Sequence, residues 1–176
     1  RGADNNVLTI DGDVRIAKEV SGNGLVKKGN GNLTLDAVNS YTGGTTISQG
    51  SVTINNDSSL GSGDVAFATG TTLHTAKDVA IANKVTLTGN TTVNNANDLV
   101  MNGVLGVGSL TKTGVGSLTL TGSNTYAGGL MVVEGKVVVN NATALGSGKA
   151  TFAANTILET AAPVTLANDI GLAGNV

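Results

Sequence analysis

Three aspartates at intervals of about twenty residues are the side chains of this sequence best placed to do chemistry. Asp57, Asp78 and Asp98 are 21 and 20 residues apart. If one such interval were one coil of a solenoid, their carboxylates would stack, and stacked carboxylate oxygens are ligands that Ca²⁺ prefers. We favour the simpler interpretation that they are turn residues, because aspartate is common in turns.

The other reactive side chains are too few or too scattered to build a catalytic centre. A polysaccharide-cleaving β-helix needs two carboxylates about 5 to 10 Å apart, and the remaining acids are spread along the chain. His74 is the only histidine and there is no cysteine, so a nucleophilic triad or a zinc cluster lacks partners. We expect His74 at the surface. The sequence predicts no catalytic residue, cofactor site or metal site, and no enzymatic activity.

Charge and composition argue against nucleic-acid binding, against a disordered chain and against a membrane-spanning helix. The formal net charge is −2, the ten basic residues are scattered, and aromatic residues make up 2%. Nucleic-acid binding needs clustered cations and stacking rings, so we expect no nucleic-acid partner. Hydrophobic residues make up 40%, which is too high for a solvated disordered chain, and no apolar run approaches the roughly 20 residues of a membrane helix.

Residues 85 positions apart match over nearly the whole chain. Tyr41 matches Tyr126, Lys27 matches Lys112, and Leu60-Gly61-Ser62-Gly63 recurs at 145–148. We predict one β-helical segment over residues 1–176, built of two tandem repeats at about 5–89 and 90–174. The chain ends where a third copy would begin, so we expect a fragment of a longer array.

The recurring polar residues have both structural and functional interpretations. Tyr41 and Tyr126 either stack on a ligand or, as we favour, cover a glycine-lined bulge. We expect Lys27 and Lys112 on a solvated strand face or in a local ion pair. We expect the adjacent asparagines Asn55-Asn56, Asn94-Asn95 and Asn140-Asn141 at turns, where asparagine tolerates left-handed backbone and stacked amides can form ladders.

Short strands must position all of these side chains. Apolar residues recur at i and i+2, as in Leu33/Leu35, Val85/Leu87 and Val164/Leu166, which is the period of a half-buried strand. Strand starts taken from Leu8, Leu33, Val52, Leu73, Val93 and Leu118 are separated by 22 residues on average, close to a quarter of the 85-residue repeat, about 21 residues. That interval fits one coil of a single-stranded parallel β-helix, of which the chain would make roughly eight. A Greek-key sandwich is the alternative all-β fold, but it does not explain the repeat.

One long motif occurs twice and resembles the passenger-associated transport repeat of type V secretion autotransporters. Its residues in the first copy are Leu25, Lys27, Gly29, Gly31, Leu33, Leu35, Asn39, Tyr41, Gly43, Gly44, Gly50, Leu60, Gly61 and Gly63. Its residues in the second copy are Leu110, Lys112, Gly114, Gly116, Leu118, Leu120, Asn124, Tyr126, Gly128, Gly129, Gly135, Leu145, Gly146 and Gly148. The first copy departs at Asp36-Ala37-Val38, where the second has Thr121-Gly122-Ser123.

The resemblance implies a fold, a location and partners. Passengers with this repeat form right-handed parallel β-helices, which makes the expected fold an all-β, right-handed β-solenoid. They are secreted to the Gram-negative cell surface through the periplasm and the outer membrane. The implied partners are the flanking β-helix coils of the same passenger and a C-terminal β-barrel translocator in the full-length protein.

The family suggests a structural and export-promoting role, in which the repeat forms a stalk at the cell surface. The alternative is an adhesive or self-associating surface that binds a host glycan, a matrix protein or another copy of the rod. A β-helical enzyme acting on polysaccharide is a remote third hypothesis, because its carboxylates are not clustered in this sequence.

Overall fold

The computed structural model describes residues 5–174, which wind into twenty short strands grouped in three parallel sheets. The first sheet has six strands: β1 (Asn6–Thr9), β3 (Leu25–Lys28), β5 (Thr45–Ile47), β7 (Val65–Phe67), β10 (Val85–Leu87) and β13 (Leu105–Gly106). The second sheet has nine: β2 (Val14–Ile16), β4 (Asn32–Leu35), β6 (Ser51–Ile54), β8 (Thr72–Thr75), β11 (Asn90–Asn95), β14 (Ser109–Thr113), β16 (Leu130–Val132), β18 (Ala150–Ala153) and β20 (Ile170–Ala173). The third has five: β9 (Val79–Ile81), β12 (Leu99–Met101), β15 (Ser117–Leu120), β17 (Lys136–Val139) and β19 (Ile157–Thr160).

Each strand pairs with the strands one coil before and one coil after it, so the sheets form the sides of a solenoid. Leu33 pairs with Val52, Val52 with Leu73, and Leu73 with Val93. These steps are 19, 21 and 20 residues, close to the predicted interval. The predicted fold class is confirmed, since the chain forms an all-β parallel β-helix of about eight turns, with no helix among the described residues.

One continuous core, made mostly of aliphatic side chains, fills the interior. Alternate residues of a typical strand point inward, as in β6, where Val52 and Ile54 have no exposed surface and their neighbours are partly exposed. Because successive coils place such residues above one another, the core is continuous along the rod. Full burial of one such side chain is worth about 1.5 to 3 kcal/mol, so stability accumulates coil by coil.

Equivalent positions of the two sequence repeats lie on different sides of the solenoid. Strand β4, in the second sheet, corresponds in sequence to β15, which belongs to the third sheet. Likewise β3 of the first sheet corresponds to β14 of the second. In the second sheet, Leu33 and Lys112 occupy the same register position four coils apart, and they are separated by 79 residues. An offset of 85 residues therefore makes four complete coils and continues onto the next side.

Three local expectations from the sequence are wrong. Leu8 and Leu118 belong to the first and third sheets and Leu33 to the second, so the predicted series of strand starts combines three different sides of the rod. Val164 and Leu166 form no strand. Asn94-Asn95, expected at a turn, lie in strand β11, and the asparagine pairs do not use left-handed backbone, since among described non-glycine residues only Val107 and Asn155 have positive φ. No helix in the described part of the chain is long and apolar enough to cross a membrane.

Candidate functional site

A buried lysine is the centre of the network that joins the coils in the first repeat. Lys27 is on the inward side of β3 and has no exposed surface. Its Nζ donates to the carbonyl oxygens of Gly29 at 2.6 Å, Gln49 at 3.0 Å, and Gly31. Gly29 and Gly31 lie on the turn after β3, and Gln49 lies one coil further on. The ammonium group therefore connects the corners of two successive coils.

The second repeat builds a similar arrangement one side further round the rod, with two of the three acceptor carbonyls at equivalent positions. Lys112, also fully buried, donates to the carbonyl oxygens of Thr113 at 2.9 Å, Gly114 at 2.5 Å and Glu134 at 3.1 Å. Glu134 occupies the position that Gln49 has in the first repeat. Both side chains also accept a backbone N–H, from Gly29 to Gln49 Oε1 and from Gly114 to Glu134 Oε2, each at 3.1 Å.

The expected solvated or ion-paired lysines are therefore a wrong prediction. The described residues give neither lysine a salt bridge. The alternation of the strand contained the correct signal, because Leu25 and Lys27 are two residues apart and must face the same side. Carbonyl oxygens satisfy the buried ammonium groups, and the glycines bring that backbone close enough to reach them.

Burial lowers the pKa of both lysines. It lowers the pKa of Lys27, an effect opposed by the negative charges of Asp11 and Asp13. It lowers the pKa of Lys112 to about 8, opposed by Glu134. Desolvation disfavours the charged form of an amine, so carbonyl hydrogen bonds only partly replace the lost water.

Glycine is required where the backbone passes the lysine. Gly50 has φ of +69°, and a Cβ there would lie 2.6 Å from Lys27 Nζ. Gly135 has φ of +80°, and a Cβ there would lie 2.9 Å from Lys112 Nζ. Positive φ is costly for other residues, so the motif glycine and the motif lysine belong to one structural unit.

An asparagine in each repeat connects three successive coils. Asn39 Oδ1 accepts the N–H of Val20 at 2.8 Å, and its Nδ2 donates to the carbonyl of Ser59 at 2.5 Å. Asn124 repeats this with the N–H of Leu105 at 2.8 Å and the carbonyl of Ala144 at 2.6 Å. Both asparagines are buried. Each amide thus continues the ladder of backbone hydrogen bonds where no strand is formed.

The two motif tyrosines pack on glycines but differ at the hydroxyl group. Both are buried, and a Cβ on Gly61 would lie 2.5 Å from the Tyr41 ring. The Tyr41 hydroxyl hydrogen-bonds with Thr45 Oγ1 at 2.7 Å and with the Ser59 carbonyl at 3.3 Å. The Tyr126 hydroxyl has no partner in the described part of the chain. The reason is local, because the position of Thr45 is Leu130 in the second repeat.

The remaining motif residues form the walls of the same unit. The leucines of the motif are buried in the core, at Leu25, Leu33, Leu35, Leu60, Leu110, Leu118, Leu120 and Leu145. The glycines sit where neighbouring coils touch: for example, a Cβ on Gly43 would lie 2.6 Å from the Asn23 carbonyl, and one on Gly128 would lie 2.6 Å from the Gly108 carbonyl. The structure thus brings the scattered motif positions together as contacts between coils.

Sequence reasoning did not identify a second asparagine that completes each unit. Asn83 Nδ2 donates to the carbonyls of Gly61 at 3.0 Å and Gly63 at 2.8 Å. Asn168 does the same to Gly146 and Gly148, at 3.0 and 2.8 Å. The signal was present, since Ala-Asn recurs at the 85-residue offset, but nothing in the sequence shows which carbonyls it reaches.

The three aspartates considered for calcium serve the corners of the coils. Asp57 Oδ1 accepts the N–H of Ala80 at 2.8 Å, and Asp78 Oδ1 accepts the N–H of Asp98 at 3.0 Å. Asp98 Oδ1 in turn accepts the N–H of Ser117 at 3.3 Å. Each carboxylate is therefore used as a hydrogen-bond acceptor for the following coil. His74 is partly exposed on β8, and burial lowers its pKa.

The chain is similar in sequence to a known repeat family and to an autotransporter protein. The family model described as the passenger-associated-transport-repeat matches residues 25–54 and 110–139. The chain is also similar to the adhesin BmaC autotransporter of Brucella suis biovar 1 (strain 1330), with 34% identity over 147 residues. That alignment covers 80% of this chain and 4% of the relative, so the chain spans a small part of that protein's length. No solved structure matches the chain.

The stacked coils and their buried lysine and asparagine network define a parallel β-helix repeat protein. Both family matches begin at the leucine two residues before the buried lysine, and both include the glycine that passes it. The chain contains two copies of the passenger-associated transport repeat, at residues 25–54 and 110–139.

Proposed function

We propose that this chain is a structural, export-promoting segment of an autotransporter passenger, forming a β-helical stalk at the surface of a Gram-negative bacterium. The observation that carries the proposal is the inter-coil network. In both repeats a buried lysine and a buried asparagine bond to backbone one coil away. Each emerging coil thus finds polar partners on its neighbour as well as apolar contacts, so folding can proceed coil by coil during export.

The proposed context supplies the partners and the location. The passenger would be exported through the periplasm and the outer membrane by a C-terminal β-barrel translocator of the full-length protein. Flanking coils of the same passenger would be its direct neighbours. The similarity to an autotransporter adhesin supports this context.

We further propose that the chain is not an enzyme. The support is the use made of its carboxylates, because Asp57, Asp78 and Asp98 each hold a backbone N–H of a neighbouring coil. The remote hypothesis of a polysaccharide-cleaving β-helix needs an acid and a base that are free to react.

Surface display of the full-length passenger tests the export role. In a passenger that contains this segment, Lys27→Met combined with Lys112→Met should lower the fraction of protein that reaches the surface. The expected cause is slower coil-by-coil folding, since the backbone carbonyls around each lysine would lose the ammonium group that donates hydrogen bonds to them. Antibody labelling of intact cells, compared with total protein, gives the fraction.

The matched control is Thr119→Ala, on an outward position of β15, which should display as the unchanged protein does. Display of the double-lysine variant at the level of the control would contradict the export role.

A second function is favoured by one specific observation. The relative matched over 80% of this chain is named an adhesin, so we propose adhesion to a host ligand, or self-association, as the alternative. Sheet faces outside the core would carry it. This role does not conflict with a stalk, because the side chains of the inter-coil network point into the rod, whereas the sheet faces outside the core are directed outward.

A further inference from the structure

The outward face of the second sheet carries a groove that the structural role does not use. Asp13, Asn32, Ser51, Thr53, His74 and Asn94 line this second-sheet groove, whose volume is about 440 Å³. They come from five successive coils, so the groove runs along the axis of the rod. At about 4.8 Å per coil, it is about 19 Å long.

The groove presents hydroxyl, amide and imidazole groups in register. Thr53 pairs with His74, and His74 pairs with Asn94, so the three side chains form one row along the axis. Ser51 Oγ and Thr53 Oγ1 donate to Asn32 Oδ1, at 2.9 and 3.1 Å, which fixes that end of the row. His74 is partly exposed and Asn94 is exposed, and within the described residues no side-chain hydrogen bond engages either, so their polar groups are free to bind.

The charge of the second-sheet groove indicates which kind of ligand it can bind. The single carboxylate, Asp13, lies at one end and already accepts the N–H of Asn32. No lysine or arginine lines the groove, and burial lowers the pKa of His74, which disfavours a charged imidazole. An anionic ligand would meet no cation, and an apolar ligand would leave the polar groups unpaired. A neutral ligand rich in hydroxyl groups complements such a lining.

We propose that the second-sheet groove binds a segment of neutral polysaccharide lying along the rod axis. The sugar rings of an extended glycan chain repeat at nearly the spacing of the coils, so successive hydroxyls meet successive rungs. The groove would hold about four sugar units at that spacing. This inference rests on the adhesive function proposed above as the second candidate.

Binding of defined oligosaccharides to the 176-residue chain tests the proposal. Cellohexaose and mannohexaose are the neutral probes, a heparin hexasaccharide is the anionic probe, and calorimetric titration gives the dissociation constants. We expect at least one neutral probe to bind. His74→Ala and Asn94→Ala should each weaken that binding about tenfold, the change expected for one lost hydrogen bond. Thr119→Ala, an outward change on the third sheet, should leave it unchanged.

Several results would overturn the proposal. They are no binding of either neutral probe to the folded chain, binding of the heparin probe alone, or equal affinity in His74→Ala and the unchanged protein. Sedimentation that shows dimers lost in His74→Ala would assign the groove to a second copy of the chain instead. Unchanged circular dichroism and urea midpoint exclude misfolding of the variants.

This test is independent of the export role. In the full-length passenger, His74→Ala should reach the cell surface normally while losing glycan affinity. Loss of display in the lysine double variant, with no glycan binding by the unchanged chain, would leave the export role supported and this inference refuted.

Discussion

At the scale of single residues, the two motif tyrosines form a natural comparison. Tyr41 and Tyr126 are equally buried, but only Tyr41 has partners for its hydroxyl group. A buried polar group without a partner costs about 1 to 3 kcal/mol, whereas a satisfied one contributes about 1 kcal/mol. The same side chain thus stabilises the first repeat more than the second.

Substitution by phenylalanine should therefore have opposite effects in the two repeats. We expect Tyr41→Phe to lower the free energy of unfolding by about 1 kcal/mol, and Tyr126→Phe to leave it unchanged or raise it by about 1 kcal/mol. Urea denaturation followed by circular dichroism measures both, with each variant serving as the control for the other. Equal losses in the two variants would contradict the difference in hydrogen bonding.

The buried lysine of the second repeat predicts a stability that increases at alkaline pH. The pKa of Lys112 is about 8 in the folded chain and 10.5 for an ordinary lysine. Between these values the unfolded chain binds more protons, so the free energy of unfolding rises with pH. From pH 8 to pH 10 the rise should be about 2 to 3 kcal/mol.

Lys112→Met should remove most of that rise, leaving the smaller part that Lys27 contributes in the same direction. Urea denaturation at several pH values from 7 to 10 measures it. The series stops at pH 10 because the raised pKa of Tyr126 acts in the opposite sense at higher pH. An identical pH profile for Lys112→Met and the unchanged chain would show that burial does not lower the pKa of Lys112.

At the scale of elements, the sequence predicted strands well and their grouping poorly. The i, i+2 alternation identifies inward pairs such as Leu33/Leu35 and Val85/Leu87 because each strand buries every second residue. The same alternation occurs on all three sides of the rod. The local sequence does not distinguish a strand of the second sheet from a strand of the third. Leu33 and Leu118 therefore look alike in the sequence, although they lie on different sides of the rod.

The site was predicted in part for a related reason. The motif residues are recognisable from the sequence, but their contacts are between coils, about 20 residues away. The partners of Lys27 and Asn39 include the backbone carbonyls of Gln49 and Ser59, and a backbone carbonyl leaves no signature in the side-chain sequence. Side-chain alternation reveals that Lys27 points inward, but only the coil register reveals what it meets.

At the scale of the whole molecule, the coil is the unit of stability. Asp78 and Asp98 precede β9 and β12, whose first residues, Val79 and Leu99, are in register. Deleting residues 79–98 removes one complete coil and leaves an Asp-to-Leu junction that the chain already contains. We expect this shortened rod to fold, with a urea m-value lower by roughly one eighth, because m scales with the surface buried.

Deleting only residues 79–88 is the matched control. Half a coil removed would displace every later strand from its sheet, so cooperative unfolding should be lost. If the variant lacking residues 79–98 is unfolded, or if the variant lacking residues 79–88 unfolds cooperatively, the coil is not the unit of stability. Circular dichroism with urea gives both results.

The mismatch between the 85-residue repeat and the coil has a consequence for longer rods. Each additional unit would turn its features by about a third of the circumference, so equivalent positions of successive units trace a slow spiral around the axis. Three units would restore the original azimuth. A flat surface pressed against such a rod would meet the same feature once in every three units, and changing the number of units by one or two would redirect everything beyond them.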